Sequence, residues 1–362
     1  MAPKGPKEQS TVITMQYLRG FATSLVGIQH ATSVPAFGGY FKFPIGEFGV
    51  DIFFVVSGYI MWATTVGSGR GIVAFWTARV LRVVPLYWIF TTLYIAVALT
   101  MPKTLFNAGI DLVHIVKSYL FIPAFHPTLG GIVPVFQPGW TLNYEMYFYF
   151  LFGFCLLVPQ RLPRLVGIVA ALVLLVLIGI VTAPRGAVTD VYTNLILLDF
   201  AVGIMLAWLA PRLHRLPFAA GAILIGAAVI WVLIALTRDQ LPPRIVAFAP
   251  PAFAMVTGAL ILEPLARAHP SRLGLLIGDA SYSIYMAHAF AQRLWYFAFM
   301  AVLGVSSAFL TTLFITTAWI SGLVGGVVAY WLLEKPILEW GRRLVKSSAA
   351  APRTHTAAPE AR

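Results

Sequence analysis

Runs of about 20 mostly apolar residues recur along this chain, and each is long enough to cross the hydrocarbon core of a bilayer. Ten such runs stand out, at 15–35, 47–66, 83–101, 140–158, 164–183, 191–210, 216–236, 244–262, 280–302 and 309–333. Backbone amides in lipid must find partners within their own segment, so runs of this kind are expected to be helices. A water-soluble core of the same size fails on composition. The chain is 59% hydrophobic and 10% charged, whereas a globular domain has about 25% charged residues to cover its surface. The expected fold is an all-α polytopic integral membrane bundle of about ten transmembrane helices. Prolines and glycines interrupt 105–138, which reads as a loop with a short interfacial helix. The domain order is then an N-terminal tail (1–14), a membrane domain (15–340) and a disordered Ala/Pro-rich tail (341–362).

Charge gives the orientation. Placing the N-terminus in the cytoplasm puts 17 of the 25 Lys and Arg residues on that side, six on the other and two, Arg19 and Arg293, inside runs. Such an imbalance is the positive-inside pattern and implies cytoplasmic termini. The net charge of +12 is therefore a topology signal and does not call for nucleic acid as a partner. One cysteine, Cys155, leaves no disulfide scaffold, and seven histidines without paired spacing offer no metal site.

Ionisable residues inside apolar runs are costly and mark functional sites by default. They are Arg19, His30, Asp51, Glu145, Asp199, His288 and Arg293. Arg19 and His30 are eleven residues apart, about three helical turns, so they share one face and lie about 16 Å apart along the axis. A cation and an imidazole facing one cavity suit a long ligand with an anionic end and a reactive end. Asp199 and Arg293 could pair within the bundle, while His114 and His126 fall in the outer loop. A transporter or flippase would use such charges as a pathway, but the paired broken helices and inverted repeats common in transporters are not evident. A catalytically silent scaffold subunit of a larger assembly is the other alternative.

Five blocks, in order, resemble the acyltransferase type 3 family, and in particular its members that acetylate bacterial exopolysaccharides. YLRGFATSLVGIQHATSV carries Arg19 and His30, and GEFGVDIFFVVSGYIM carries Asp51. FWTARVLRVVPLYW holds the Arg-x-x-Arg pair Arg79 and Arg82. PGWTLNYEMYFYF supplies Trp140, Leu142 and Glu145, and GDASYSIYMAHAF supplies Ser281, Tyr282, Tyr285 and His288.

The resemblance implies acyl transfer from acyl-coenzyme A, usually acetyl-CoA, to a hydroxyl of an exopolysaccharide or its lipid-linked sugar precursor, in the bacterial inner membrane among membrane lipids and polysaccharide assembly proteins. Histidine suits general-base work at neutral pH, and His30 takes that role. Glu145, or else Asp51, would fix its tautomer as the acid does in other histidine-based acyl transfers. Arg79 and Arg82 would clamp the coenzyme phosphates, with Arg19 as a further ligand, Tyr282 and His288 beside the donor, and Trp140 on the acceptor.

Overall fold

The computed structural model describes residues 12–33, 44–69, 71–101, 111–183, 185–238, 240–303 and 307–350. Among them every regular element is helical, apart from one isolated bridge between Phe125 and Ile132. The chain runs through α1 (Ile13–Thr32), α2 (Ile45–Thr65), α3 (Ile72–Thr100), α4 (Leu112–Tyr119), α5 (Trp140–Cys155), α6 (Arg161–Thr182), α7 (Ala187–Tyr192) and α8 (Leu197–Leu213). It continues through α9 (Phe218–Leu236), α10 (Arg244–Ala247), α11 (Ala249–Ile261), α12 (Glu263–Ala268), α13 (Arg272–Asp279), α14 (Ser281–Val302), α15 (Ala308–Ala329) and α16 (Lys335–Ala350). A π-helical turn, Tyr330–Glu334, joins α15 to α16.

Seven helical stretches among the described residues are long and apolar enough to cross a membrane: α2, α3, α6, α7 with α8, α9, α10 with α11, and Ala308–Arg343. Each matches one of the ten expected runs. The other three runs are also helical, as α1, α5 and α14, but α5 is only 16 residues long, and polar side chains dilute all three: Arg19 and His30, Asn143 and Glu145, His288 and Gln292. Asn143, His288 and Gln292 are buried, and Arg19, His30 and Glu145 line the central cavities described below.

Burial sorts centre from periphery. The apolar window of α2 is 72% buried, while those of α6 and α9 are each 22% buried, so α2 is the axis of the bundle and the other two present Leu, Ile and Val outward. α2 packs on α1, α8 and α11, α9 packs on α11, and α14 packs on α15. The α2–α8 crossing depends on missing side chains. A Cβ on Gly203 would stand 2.0 Å from the Val55 carbonyl oxygen, and one on Gly58 would stand 2.2 Å from that of Phe200. Small residues let helix backbones approach this closely in membranes. An aromatic core of Phe54, Tyr87, Phe148, Phe152 and Phe200 fills the space among α2, α3, α5 and α8.

Two boundaries differ from expectation, and the short helix expected within 105–138 is present. α3 begins at Ile72, eleven residues before the expected run, because Arg79 and Arg82 end the apolar window without ending the helix. Their stems lie along it while their guanidinium groups cover the rings of Phe75, Tyr149 and Tyr282. The interrupted segment 105–138 contains α4, whose N-cap Asp111 accepts from the His114 amide at 2.8 Å. Residues 341–350, expected as disordered tail, instead extend α16, in which Ile337, Leu338 and Trp340 alternate with Arg342 and Arg343 in helical spacing. Residues 1–11 and 351–362 of the expected tails lie outside the described residues.

Candidate active site

Two cavities adjoin at the centre of the bundle. The first encloses about 840 Å³ of unfilled space, some of it open to the outside, and its lining includes Arg19, Ser57, Arg79, Arg82, Glu145 and Tyr149. The second, of about 750 Å³, is lined by Gln29, His30, Glu47, Gln137 and Trp140 among others. Val50 and Tyr285 line both.

The arginine cavity draws on five helices, α1, α2, α3, α5 and α14. Arg19 stands nearly two turns into α1, whose first turn is anchored because Glu263 accepts from the amides of Ile13 (3.1 Å) and Thr14 (2.8 Å). The Arg19 guanidinium donates to the Gln16 side chain at 3.1 Å, and Arg82, Glu334 and Glu145 lie within its electrostatic reach. Arg79 and Arg82 have different surroundings. The carboxylate of Glu334 binds Arg82 and also accepts from the Ser283 amide at 3.1 Å and hydroxyl at 2.5 Å. Arg79 has aromatic rings beneath it, and its Nε is buried with no hydrogen-bond acceptor. Tyr282 donates its hydroxyl to the Val83 carbonyl at 2.7 Å, tying α14 to α3. Among the described residues no carboxylate forms an ion pair with Arg19 or Arg79, and the cavity suits a polyanion.

In the second cavity His30 is exposed to open space. Its Nδ1 lies 2.9 Å from the Val26 carbonyl oxygen. A carbonyl can only accept, so Nδ1 carries the proton and the Nε2 lone pair is free. The expected carboxylate at Nδ1 is therefore replaced by a backbone carbonyl one turn earlier, an i−4 bond that any helical histidine can make. Glu145 is placed in the arginine cavity instead, where its carboxylate accepts from Tyr149 and from the Ser57 hydroxyl at 3.3 Å. His288 packs edge-to-face on His30, with ring centroids 4.7 Å apart. It repeats the same Nδ1 bond, to Ile284 at 3.1 Å, and its Nε2 is buried without a partner. It lies behind His30 and lines neither cavity.

Asp51 belongs to an ion network at the wall of the second cavity. Arg244, the first residue of α10, pairs with both Asp51 and Glu47, stacks over Trp140 at 5.6 Å, and so ties α2 to α5. Asp199, 3% exposed, lies within electrostatic reach of Asp51. Arg293 lies over the rings of Tyr296 and Phe297 on its own helix. Arg244 is one of the six basic residues that the charge count places on the outer face, and the ionisable residues picked out inside apolar runs include neither Glu47 nor Glu334. The available signal was position, since Arg244 opens an apolar run and Glu334 closes one. His114 and His126 pack against each other with centroids 5.1 Å apart, away from both cavities.

No solved structure matches the chain. The family model described as an acyltransferase domain matches residues 12–333. The exopolysaccharide production protein ExoZ of Rhizobium meliloti (strain 1021) is 39% identical over 311 residues, covering 83% of this chain and 92% of that protein. With these matches and its apolar helices, the chain is a multi-pass membrane protein that belongs to the type 3 acyltransferase family.

Proposed function

We propose that this protein is a membrane O-acyltransferase that moves an acyl group, acetyl in the simplest case, from acyl-coenzyme A to a hydroxyl of an exopolysaccharide or its lipid-linked sugar precursor. The observation that carries the reading is the junction of two unlike cavities: one lined by arginines, the other holding an imidazole with a free Nε2, with Val50 and Tyr285 common to both. Coenzyme A is a long ligand with several phosphate charges and a thioester at its far end. Arg19 and Arg79 take phosphates, Arg82 borders the same mouth from its tether on Glu334, and Tyr282 holds that wall. The thioester reaches the junction. The acceptor enters the second cavity, where Trp140 offers an apolar face to a sugar ring and His30 Nε2 takes the hydroxyl proton. Glu145 and Asp51 organise the two cavities, the first through Ser57 and Tyr149, the second through Arg244.

In this reading the arginine cavity opens to the cytoplasm, where acyl-coenzyme A is made, and the histidine cavity opens across the inner membrane, with ten crossings and both termini cytoplasmic. Membrane lipids surround it, and polysaccharide assembly proteins deliver or receive the acceptor. The relative's name as an exopolysaccharide production protein supports the acceptor class.

The test uses the full chain in lipid nanodiscs with ¹⁴C-acetyl-coenzyme A and purified exopolysaccharide. His30→Ala is expected to lose transfer while keeping coenzyme A affinity and melting temperature. A variant that transfers at the wild-type rate removes His30 as the base.

A further inference from the structure

Acyl transfer places a negative charge on the thioester carbonyl oxygen, and a site that accelerates it needs a hydrogen-bond donor aimed at that oxygen. Resting on the acyl-transfer reading above, we infer that the Tyr285 phenol is this donor, a catalytic residue set at the junction of the two cavities.

Position is the first argument. A thioester entering from the arginine cavity and a hydroxyl entering beside His30 can meet only where the cavities adjoin, and Val50 and Tyr285 are the described residues that line both. Val50 brings an aliphatic side chain, which leaves the phenol as the polar group of the junction. Hydrogen bonding is the second. Thr141 Oγ1 lies 3.0 Å from the phenol oxygen and 3.4 Å from the Pro138 carbonyl oxygen; with its one proton directed to the nearer phenol oxygen, the Tyr285 proton is left for another group. Of the other hydroxyls nearby, Ser57 donates to Glu145 at 3.3 Å and Tyr282 to Val83 at 2.7 Å, while Ser281, whose buried hydroxyl has no partner, lines the arginine cavity but not the second one.

Rigidity is the third. Tyr285 is 7% exposed, its ring meets Phe53 edge-on with centroids 5.9 Å apart, and it lies 6.0 Å from the ring of His288, which backs His30. Tyr285 and His288 sit three residues apart on α14, so one helix face carries the donor and the support of the base. A donor fixed before the reaction needs no reorganisation when charge develops.

In the step, the acceptor oxygen bonds to the thioester carbon, its proton passes to His30 Nε2, and the carbonyl π pair moves onto oxygen, where the Tyr285 O–H stabilises it. Collapse restores the C=O and breaks the C–S bond. The sulfur leaves with the electron pair and takes the proton from His30, giving the ester and the free coenzyme A thiol with His30 neutral again. Tyr285 keeps its proton throughout.

The experiment pairs kinetics with infrared spectroscopy on the full chain in nanodiscs. Tyr285→Phe removes one hydroxyl and keeps the ring contacts. Its kcat is expected to fall about 10²–10³-fold, the usual loss for one oxyanion donor, with coenzyme A affinity unchanged. In acetyl-coenzyme A labelled with ¹³C at the carbonyl, the stretch of the bound thioester is expected at lower frequency in wild type and in His30→Ala, and at its solution value in Tyr285→Phe. A fall in kcat below tenfold, or a shifted stretch that persists in Tyr285→Phe, overturns the assignment. Difluorotyrosine at position 285, a stronger donor of nearly the same shape, should deepen the carbonyl shift, and an unchanged shift counts against the proposal. Transfer surviving in His30→Ala would instead refute the base and leave the carbonyl shift to judge Tyr285 by itself.

Discussion

Arg79 and Arg82 are three residues apart on one helix and match a single motif, yet the structure gives them different jobs that binding measurements can separate. Arg82 is bound by Glu334, which is 2% exposed, so its charge is largely spent within the protein. Arg79 has a buried Nε without an acceptor and aromatic rings beneath it, so its charge is available to a ligand. A hydrogen bond to a charged group contributes about 1.5–3 kcal/mol, and each 1.4 kcal/mol is tenfold in affinity. Arg79→Ala should therefore weaken coenzyme A binding by roughly 10- to 150-fold, with little change in melting temperature. Arg82→Ala alone is a poor comparison, since it leaves the buried Glu334 carboxylate unpaired, at a cost of about 3–5 kcal/mol for broken buried pairs. The informative partner is Arg82→Met with Glu334→Gln, which removes both charges at similar volume. That double variant should bind coenzyme A within about threefold of wild type and melt close to it, while Arg82→Met by itself melts well below. Calorimetric titration in nanodiscs and scanning fluorimetry read the two effects. If the double variant loses as much affinity as Arg79→Ala, the arginines act as one clamp and the distinction drawn from Glu334 is wrong.

Two further outcomes follow from packing and burial. Gly203→Ala places a methyl 2.0 Å from the Val55 carbonyl; overpacking of this kind costs about 1–3 kcal/mol, so thermal unfolding in detergent should shift downward, and an unchanged transition would mean that α2 and α8 separate freely. Burial beside His126 lowers the pKa of the His114 ring, and burial alone lowers that of His126, whose Nδ1 accepts from the Thr128 and Leu129 amides at 3.3 Å. Both rings are neutral in the fold and protonate near pH 6.5 when unfolded, so this loop is fully stabilised above that pH and loses stability as pH falls below it. His114→Gln should flatten the decline in melting temperature between pH 7 and 5, and parallel profiles would refute the assignment.

Spans were legible because lipid leaves a long signature: apolar runs of fixed length with basic residues at their ends. The five motif blocks were legible too, because Arg19, His30, Arg79, Arg82, Trp140 and Glu145 each sit on short local patterns, and all six line one of the two cavities. Pairing across the chain was not. Arg244 meets Asp51 across 193 residues and Arg82 meets Glu334 across 252, and nothing in the local sequence of either arginine encodes its partner. The assignment of a carboxylate to the His30 tautomer came from an analogy of chemistry. The chain meets the same need with the Val26 carbonyl, a group every residue has and no sequence pattern displays. The start of α3 was misplaced for a related reason, since a hydropathy window treats arginine as a boundary whereas a helix accommodates its stem.

The wide turn between α15 and α16 has a geometric consequence. Gly322 and Gly326 press against α14 at His288 and Ile284, and Glu334 must reach Ser283 on that same helix. Eight residues separate Gly326 from Glu334, and at about 100° each they would overrun two full revolutions by about 80°, swinging the carboxylate off to one side. One surplus residue in the Tyr330–Glu334 coil absorbs that overrun. Rewinding all eight residues as regular α-helix would turn the carboxylate about 80° away and uncouple the mouth of the arginine cavity from the helix that carries Tyr285, whereas deleting one residue at the same time would bring it back to within about 20°.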